Sequence, residues 1–102
     1  MTPDEFRRIA LSQPGAVEKS HLGTGDFRAG KIFATLGYPD AGHGMVKLTR
    51  DQQEMLTAAE PDVFRPANGA WGLQGSTLVT LAVADEATLI SAMAMARGNL
   101  KP

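Results

Sequence analysis

Four basic residues, Arg28, Lys31, Lys47 and Arg50, lie between positions 28 and 50 of this chain, against one acid in that span, Asp40. Arg65 and the single tryptophan, Trp71, follow in the stretch FRPANGAWGLQG. Cations contact phosphates and a flat aromatic ring stacks on bases, so Arg28, Lys31, Lys47, Arg50 and Arg65 are candidate contacts of a nucleic-acid-binding surface. The competing reading of the same cations is the polar face of an amphipathic sheet. A second chemistry centres on Trp71. With Phe64 and Tyr38 it would line a groove for a small ligand or a protein segment, and Asn68 beside it would add a hydrogen-bonding group. Trp71 sits among Pro, Asn and Gly, which favour loops, and so is either displayed to a partner or folded back onto the core. With few aromatics to fill a core, folding back over one end of the sheet is the expectation.

Covalent and metal chemistry find little support. There is no Cys, which removes disulfides, thiolate ligands and a thiol nucleophile. The histidines, His21 and His43, each lie beside Gly or a strand end and read as exposed turn residues. Ser20-His21 and Ser91 lack the strand-turn-helix setting of a nucleophile elbow. The glycine-containing strings GTGDFRAG and NGAWGLQG lack the strand-then-helix frame of a phosphate-binding loop. Asp4/Glu5 and Asp85/Glu86 fall in first helical turns, where negative charge complements the helix dipole. A non-enzymatic protein without cofactor or metal is expected.

At 102 residues the chain has the size of one domain, spanning 1–102. Ten Lys+Arg against eleven Asp+Glu give a net charge of −1, so there is no global attraction to nucleic acid or to an anionic membrane. DNA binding would rest on the local basic patch and would be weak and salt-sensitive. The N-terminal MTPDEFRRIA has no apolar stretch of the signal-peptide kind, and no apolar run approaches the ~18 residues of a membrane span. A cytoplasmic protein with no membrane role is expected, as monomer or homodimer.

The elements that must position these residues follow from caps and periodicity. Thr2, Pro3 and Glu5 form a capping-box start with Pro at the first helical position, and Phe6, Ile9 and Ala10 share one face of a helix over 3–12 that Pro14-Gly15 stops. From Val17 to Leu36 the period is two, with a tight turn at Ala29-Gly30 making a hairpin. GYPDAGHG then turns the chain into a strand at Met45–Thr49. Thr49 and Gln52 repeat the capping box for a helix from Arg50 to Ala59, with Met55, Leu56 and Ala59 facing inward. A short extended piece at Val63–Arg65 leads into the glycine-containing loop, and STLVTLAV, Ser76–Val83, is the strongest β-run. That run would be hazardous as an exposed edge, so a central or interface position is expected. Asp85 caps a last helix from Glu86 to about Arg97 with Leu89, Ile90, Met93, Ala94 and Ala96 as its apolar stripe. Short turns between successive strands require antiparallel pairing. The result is an α+β two-layer domain, an antiparallel sheet with the N- and C-terminal helices packed on one face.

The strings SQPGAVEKSHLG, FRAGKIFATLG, VKLTRDQQEML, FRPANGAWG and GSTLVTLAVAD, in this order and with a terminal helix, resemble the MmcQ/YjbR-like family of small bacterial proteins over nearly the whole chain. The resemblance implies a CyaY-like α+β fold and no established enzymatic activity. It also implies DNA binding through paired β-hairpin wings, one around Arg28, Ala29, Gly30 and Lys31 and the other near Arg65 to Trp71. Iron-binding CyaY-like proteins use an acidic helix-and-edge surface. Here Asp4 and Glu5 are followed at once by Arg7 and Arg8, so that ridge is missing and the iron function is not carried over.

Overall fold

The computed structural model describes residues 1–21 and 24–100. In chain order its elements are α1 (Pro3–Leu11), β1 (Val17–His21), β2 (Thr24–Ala29), β3 (Lys31–Leu36), β4 (His43–Lys47), α2 (Arg50–Ala59), β5 (Phe64–Pro66), α3 (Gly69–Leu73), β6 (Ser76–Thr80) and α4 (Glu86–Gly98). Among the described residues they make a six-stranded, wholly antiparallel sheet in the order β1-β2-β3-β4-β6-β5. This is the expected α+β domain.

Caps fix the helix starts. Thr2 Oγ1 accepts from the Glu5 amide at 3.2 Å, and Glu5 Oε1 accepts from the Thr2 amide at 3.0 Å. Thr49 and Gln52 repeat the exchange at 3.1 and 3.0 Å, and Asp85 Oδ1 accepts from the Thr88 amide at 2.7 Å. Each exchange satisfies helix-end donors that would otherwise lack a partner. Gly30, with φ +86°, makes the β2–β3 turn in a conformation that favours glycine.

One face of the sheet is closed by helices. α1 packs on α4 and β3, and α4 on β3 and β4, while α2 covers β5. Phe27, Phe33, Ala34, Val46, Phe64 and Val79 of the strands meet Phe6, Ile9, Leu89 and Met93 in this core. Gly44 is required beneath α1: a Cβ there would lie 2.5 Å from the Phe6 ring. The β2–β3 ladder shifts register between Phe27 and Arg28, so that Phe27 opposes Ala34 but Arg28 opposes Ile32. The extra residue, Phe33, is a β-bulge that keeps Phe33 in the core and turns Ile32 to the opposite face.

Several expectations are corrected. The β-run STLVTLAV ends as a strand at Thr80, where the Leu81 amide donates to the Gly42 carbonyl at 3.1 Å and Leu81–Val83 become a 3-10 turn. β6 itself lies between β4 and β5, the internal position expected of it. In α2 the inward residues are Gln53 and Leu56, while Met55 and Ala59 are exposed. In α4 Leu89, Ala92, Met93 and Ala96 face inward, and Ile90 and Ala94 outward. Phe64 is buried in the helix-side core and does not join Trp71 and Tyr38 in a groove. The glycine-containing loop holds the short helix α3. No helix among the described residues is long and apolar enough to cross a membrane.

Candidate functional site

The opposite face of the sheet carries the candidate site. Cross-strand partners place Lys19, Asp26, Thr35, Met45, Leu78 and Arg65 in one continuous row on it, from β1 to β5, because directly opposed residues share a face. Met45, Leu78 and Ala67 form a second, small apolar cluster there, with Tyr38 packed against it. α3 contacts β6 and carries Trp71, whose ring centroid lies 6.0 Å from that of Tyr38 with the planes tilted by 51°. Between this aromatic pair and β2 runs a groove of about 390 Å³, lined by Thr24, Asp26, Ile32, Thr35, Tyr38, Met45, Lys47, Trp71, Gln74 and Ser76. Its size and its mix of apolar walls with a few polar groups fit a small-molecule site.

The expectation that Trp71 folds back onto the core is overturned, since its relative exposure is 56%. The exposure is imposed by a rigid support. Gln53, 2% exposed, donates through Nε2 to the Gly72 carbonyl at 3.0 Å and to the Ser76 carbonyl at 3.1 Å. Arg50 Nη1 donates to the Leu73 carbonyl at 2.9 Å. Gly72 lies so close to the preceding segment that a Cβ would fall 1.7 Å from the Ala67 carbonyl oxygen, and a Cβ on Gly75, at φ +106°, would fall 1.9 Å from that of Leu48. The end of α3 is therefore held by the backbone below it while its indole projects outward.

Tyr38 is held in a similar way. The Gly37 amide donates to the His43 carbonyl at 2.9 Å, the Gly42 amide donates to Asp40 Oδ1 at 2.9 Å, and His43 Nδ1 lies 2.7 Å from the same oxygen. The His43 bond, then the Gly42 amide, hold the Asp40 carboxyl below its ordinary pKa, with a smaller contribution from Arg65. His43 is thus the first residue of β4, partly buried and with a carboxylate partner, rather than an exposed turn residue. The side chain of His21 lies outside the described residues. Among the described residues, no three His, Cys, Asp or Glu side chains gather as a metal site would need.

The predicted cations do not form one patch. Lys47 lines the groove, and Arg65 stands on the same face at the far strand. Lys31 is exposed beside the hairpin turn. Arg28 leans toward Asp26, Nη2 to Oδ2 being 3.7 Å, and its Nε is buried without a hydrogen-bond partner. Arg50 stands on α2 away from the sheet, where it braces α3 and approaches Glu54 at 3.7 Å. Asn68 lines a separate hollow with Arg50, Gln53 and Leu73, and not the Trp71 groove. Residue types alone missed Asp26, Ile32, Thr35 and Gln74 in the groove wall. The alternation Thr24, Asp26, Arg28 carried part of that signal, and the bulge that exposes Ile32 left none.

A family model described as YjbR matches residues 11–94. The chain belongs to the YjbR family. The crystal structure of Deinococcus radiodurans protein DR2400, with a domain described as DUF419, is similar with a TM-score of 0.76 at 18% sequence identity, over 93% of this chain and 75% of that one. At that identity the likeness establishes the shared fold. No curated protein matches the chain.

Proposed function

We propose that this YjbR-family protein is a non-enzymatic binding protein that takes a small ligand in the open-face groove between Trp71 and β2. The observation that carries the reading is a largely exposed tryptophan on a firmly held support. An indole in water loses the benefit of burial, and a loop free to move would tuck it in. Here Gln53, Arg50 and two glycine contacts hold it beside Tyr38, in the lining of a groove that Met45 shares. Fluorescence of the only Trp tests this directly. Emission from the free protein is expected to be red-shifted and open to acrylamide, and a bound ligand is expected to shift it and shield it. Blue-shifted, quencher-resistant emission from the free protein would overturn the reading.

DNA contact through the same face is the second reading. It draws on Lys19, Lys47 and Arg65, which stand on the open face without a carboxylate within salt-bridge distance among the described residues. It ranks second because Arg28 and Arg50 are engaged within the protein. Gel shifts at low ionic strength that weaken steeply with added salt would favour it; no shift at high micromolar protein would remove it.

A further inference from the structure

We infer that the occupant of the groove is a nucleotide, a flat heteroaromatic ring with an N–H donor edge and an anionic substituent, with guanine preferred among the bases. The inference rests on the small-ligand reading of the groove and names its chemistry.

Three features of the groove lining converge on this class. The first is stacking: Trp71 and Tyr38 form one wall and Met45 and Ile32 offer apolar surface. An exposed indole edged by a second ring suits a π-face and tolerates any base. From β2 across β3 to β4 is two interstrand steps, about 10 Å, which leaves room for a fused two-ring system lying flat on the sheet.

The second is a fixed acceptor at the far side. Asp26 is only partly exposed, and Thr35 Oγ1 donates to its Oδ1 at 3.0 Å. That bond orients the carboxylate; Arg28 Nη2 approaches the other oxygen, Oδ2, only to 3.7 Å, beyond hydrogen-bond distance, so lone pairs remain for a ligand. A carboxylate accepts and cannot donate when ionised, so it favours a ring edge with two adjacent N–H donors. Guanine presents such an edge; adenine places an acceptor nitrogen beside its amino group, which the carboxylate repels.

The third is cationic. Lys47 lies two residues along β4 from Met45, about 7 Å, and is in no ion pair among the described residues. Asp26 and Met45 share one cross-strand row and Lys47 lies two residues beyond it, so acceptor and cation are spaced as a base edge and its phosphate. A neutral aromatic would leave Lys47 unmatched, and an anion without a ring would leave Trp71 bare.

Calorimetry on the full chain, with Trp71 emission as a second readout, tests the inference using GMP, AMP, guanosine, ribose 5-phosphate, a single-stranded oligo-dG and an anilinonaphthalene sulfonate. GMP is expected to bind, with AMP and guanosine each weaker by roughly tenfold or more and ribose 5-phosphate silent. Asp26→Asn keeps an acceptor for Thr35 and should erase the GMP–AMP difference. Lys47→Gln should bring GMP down to the level of guanosine. Trp71→Leu, at an exposed position, should weaken every ring-bearing ligand while circular dichroism confirms folding. Oligo-dG bound where GMP is not would assign the same chemistry to a nucleic-acid strand instead of a free nucleotide. If the sulfonate binds and shifts Trp71 while no nucleotide does, the nucleotide assignment is overturned and the groove stands. If nothing binds, both are overturned. An unchanged GMP–AMP ratio in Asp26→Asn overturns the guanine preference.

Discussion

The two faces of this sheet are written in alternate residues of the same strands, and they are finished in opposite ways. On the helix side, Phe27, Phe33, Val46 and Val79 are sealed under α1 and α4. On the open side, Met45 and Leu78 are buried in a small cluster with Ala67, against which Tyr38 packs, and polar residues continue to β1 with Trp71 standing exposed at the boundary. One face closes over apolar volume that stabilises the domain; the other holds its aromatics at fixed positions while leaving them wet. Stability and display have been assigned to opposite faces, so a substitution should move one with little effect on the other.

The largest effect belongs to the sealed face. Phe27 is fully buried and packs near Phe6, ring centroids 6.1 Å apart. Phe27→Ala removes that packing and leaves a cavity, so urea denaturation should show a loss of about 3–5 kcal/mol. In the native baseline, Trp71 emission should stay as in the parent protein. A shifted native baseline would mean that the two faces are coupled through the sheet.

Next comes the support beneath the display. A methyl on Gly72 collides with the Ala67 carbonyl, and accommodating it should cost about 1–3 kcal/mol. Gln53→Ala strips two donors from buried carbonyls, at about 1–2 kcal/mol; the cost is limited because both carbonyls keep a backbone donor, Gly75 and Ala67. Both variants should also alter Trp71 emission and its quenching, which the Phe27 variant should not. If stability falls while the indole signal is unchanged, Gln53 and Gly72 serve the core alone.

Much of this arrangement was legible before the structure. The capping boxes at Thr2 and Thr49, the turn at Gly30 and the two-residue period from Val17 are local signals, and local chemistry placed the elements. What the sequence hides depends on tertiary contact. Gln53 looks like a surface residue until the carbonyls of Gly72 in α3 and Ser76 at the start of β6 meet it. Trp71 has a composition-based reason to be buried, and only the backbone packing at Gly72 and Gly75 denies it. The five predicted cations were chosen by type, yet a guanidinium is free or engaged according to what the fold brings beside it, as Arg28 and Arg50 show. Ile32 reached the groove through a bulge that no alternation foretells.

A smaller expected effect comes from the displayed ring itself. Trp71 is more than half exposed, so Trp71→Ala should change stability by no more than about 0.5–1 kcal/mol, against the several lost at Phe27. A loss as large as that at Phe27 would erase the distinction between the faces and return Trp71 to a core role.

Acid gives the gentlest probe, and it touches both faces. Glu5 and Asp85 have carboxyls held below their ordinary pKa chiefly by backbone hydrogen bonds from Thr2 and Thr88, at the starts of α1 and α4. Asp40 is lowered chiefly by its bond to His43, in the turn that carries Tyr38. In each case the folded protein favours the ionised form. The stability these groups contribute is therefore complete above the ordinary carboxylate range and is lost as pH falls through it toward the lowered folded values. Asp40 and Asp85 are exposed and Glu5 is partly exposed, so the loss should be gradual and reduced by salt. Thr2→Ala and Asp85→Asn should flatten the acid limb of the urea midpoint without changing Trp71 emission. Asp40→Asn should flatten it and also remove any acid-dependent shift of the Tyr38–Trp71 signal. Were the indole signal to follow pH identically in all three variants, the Tyr38 turn would not be the element that couples the aromatic pair to protonation.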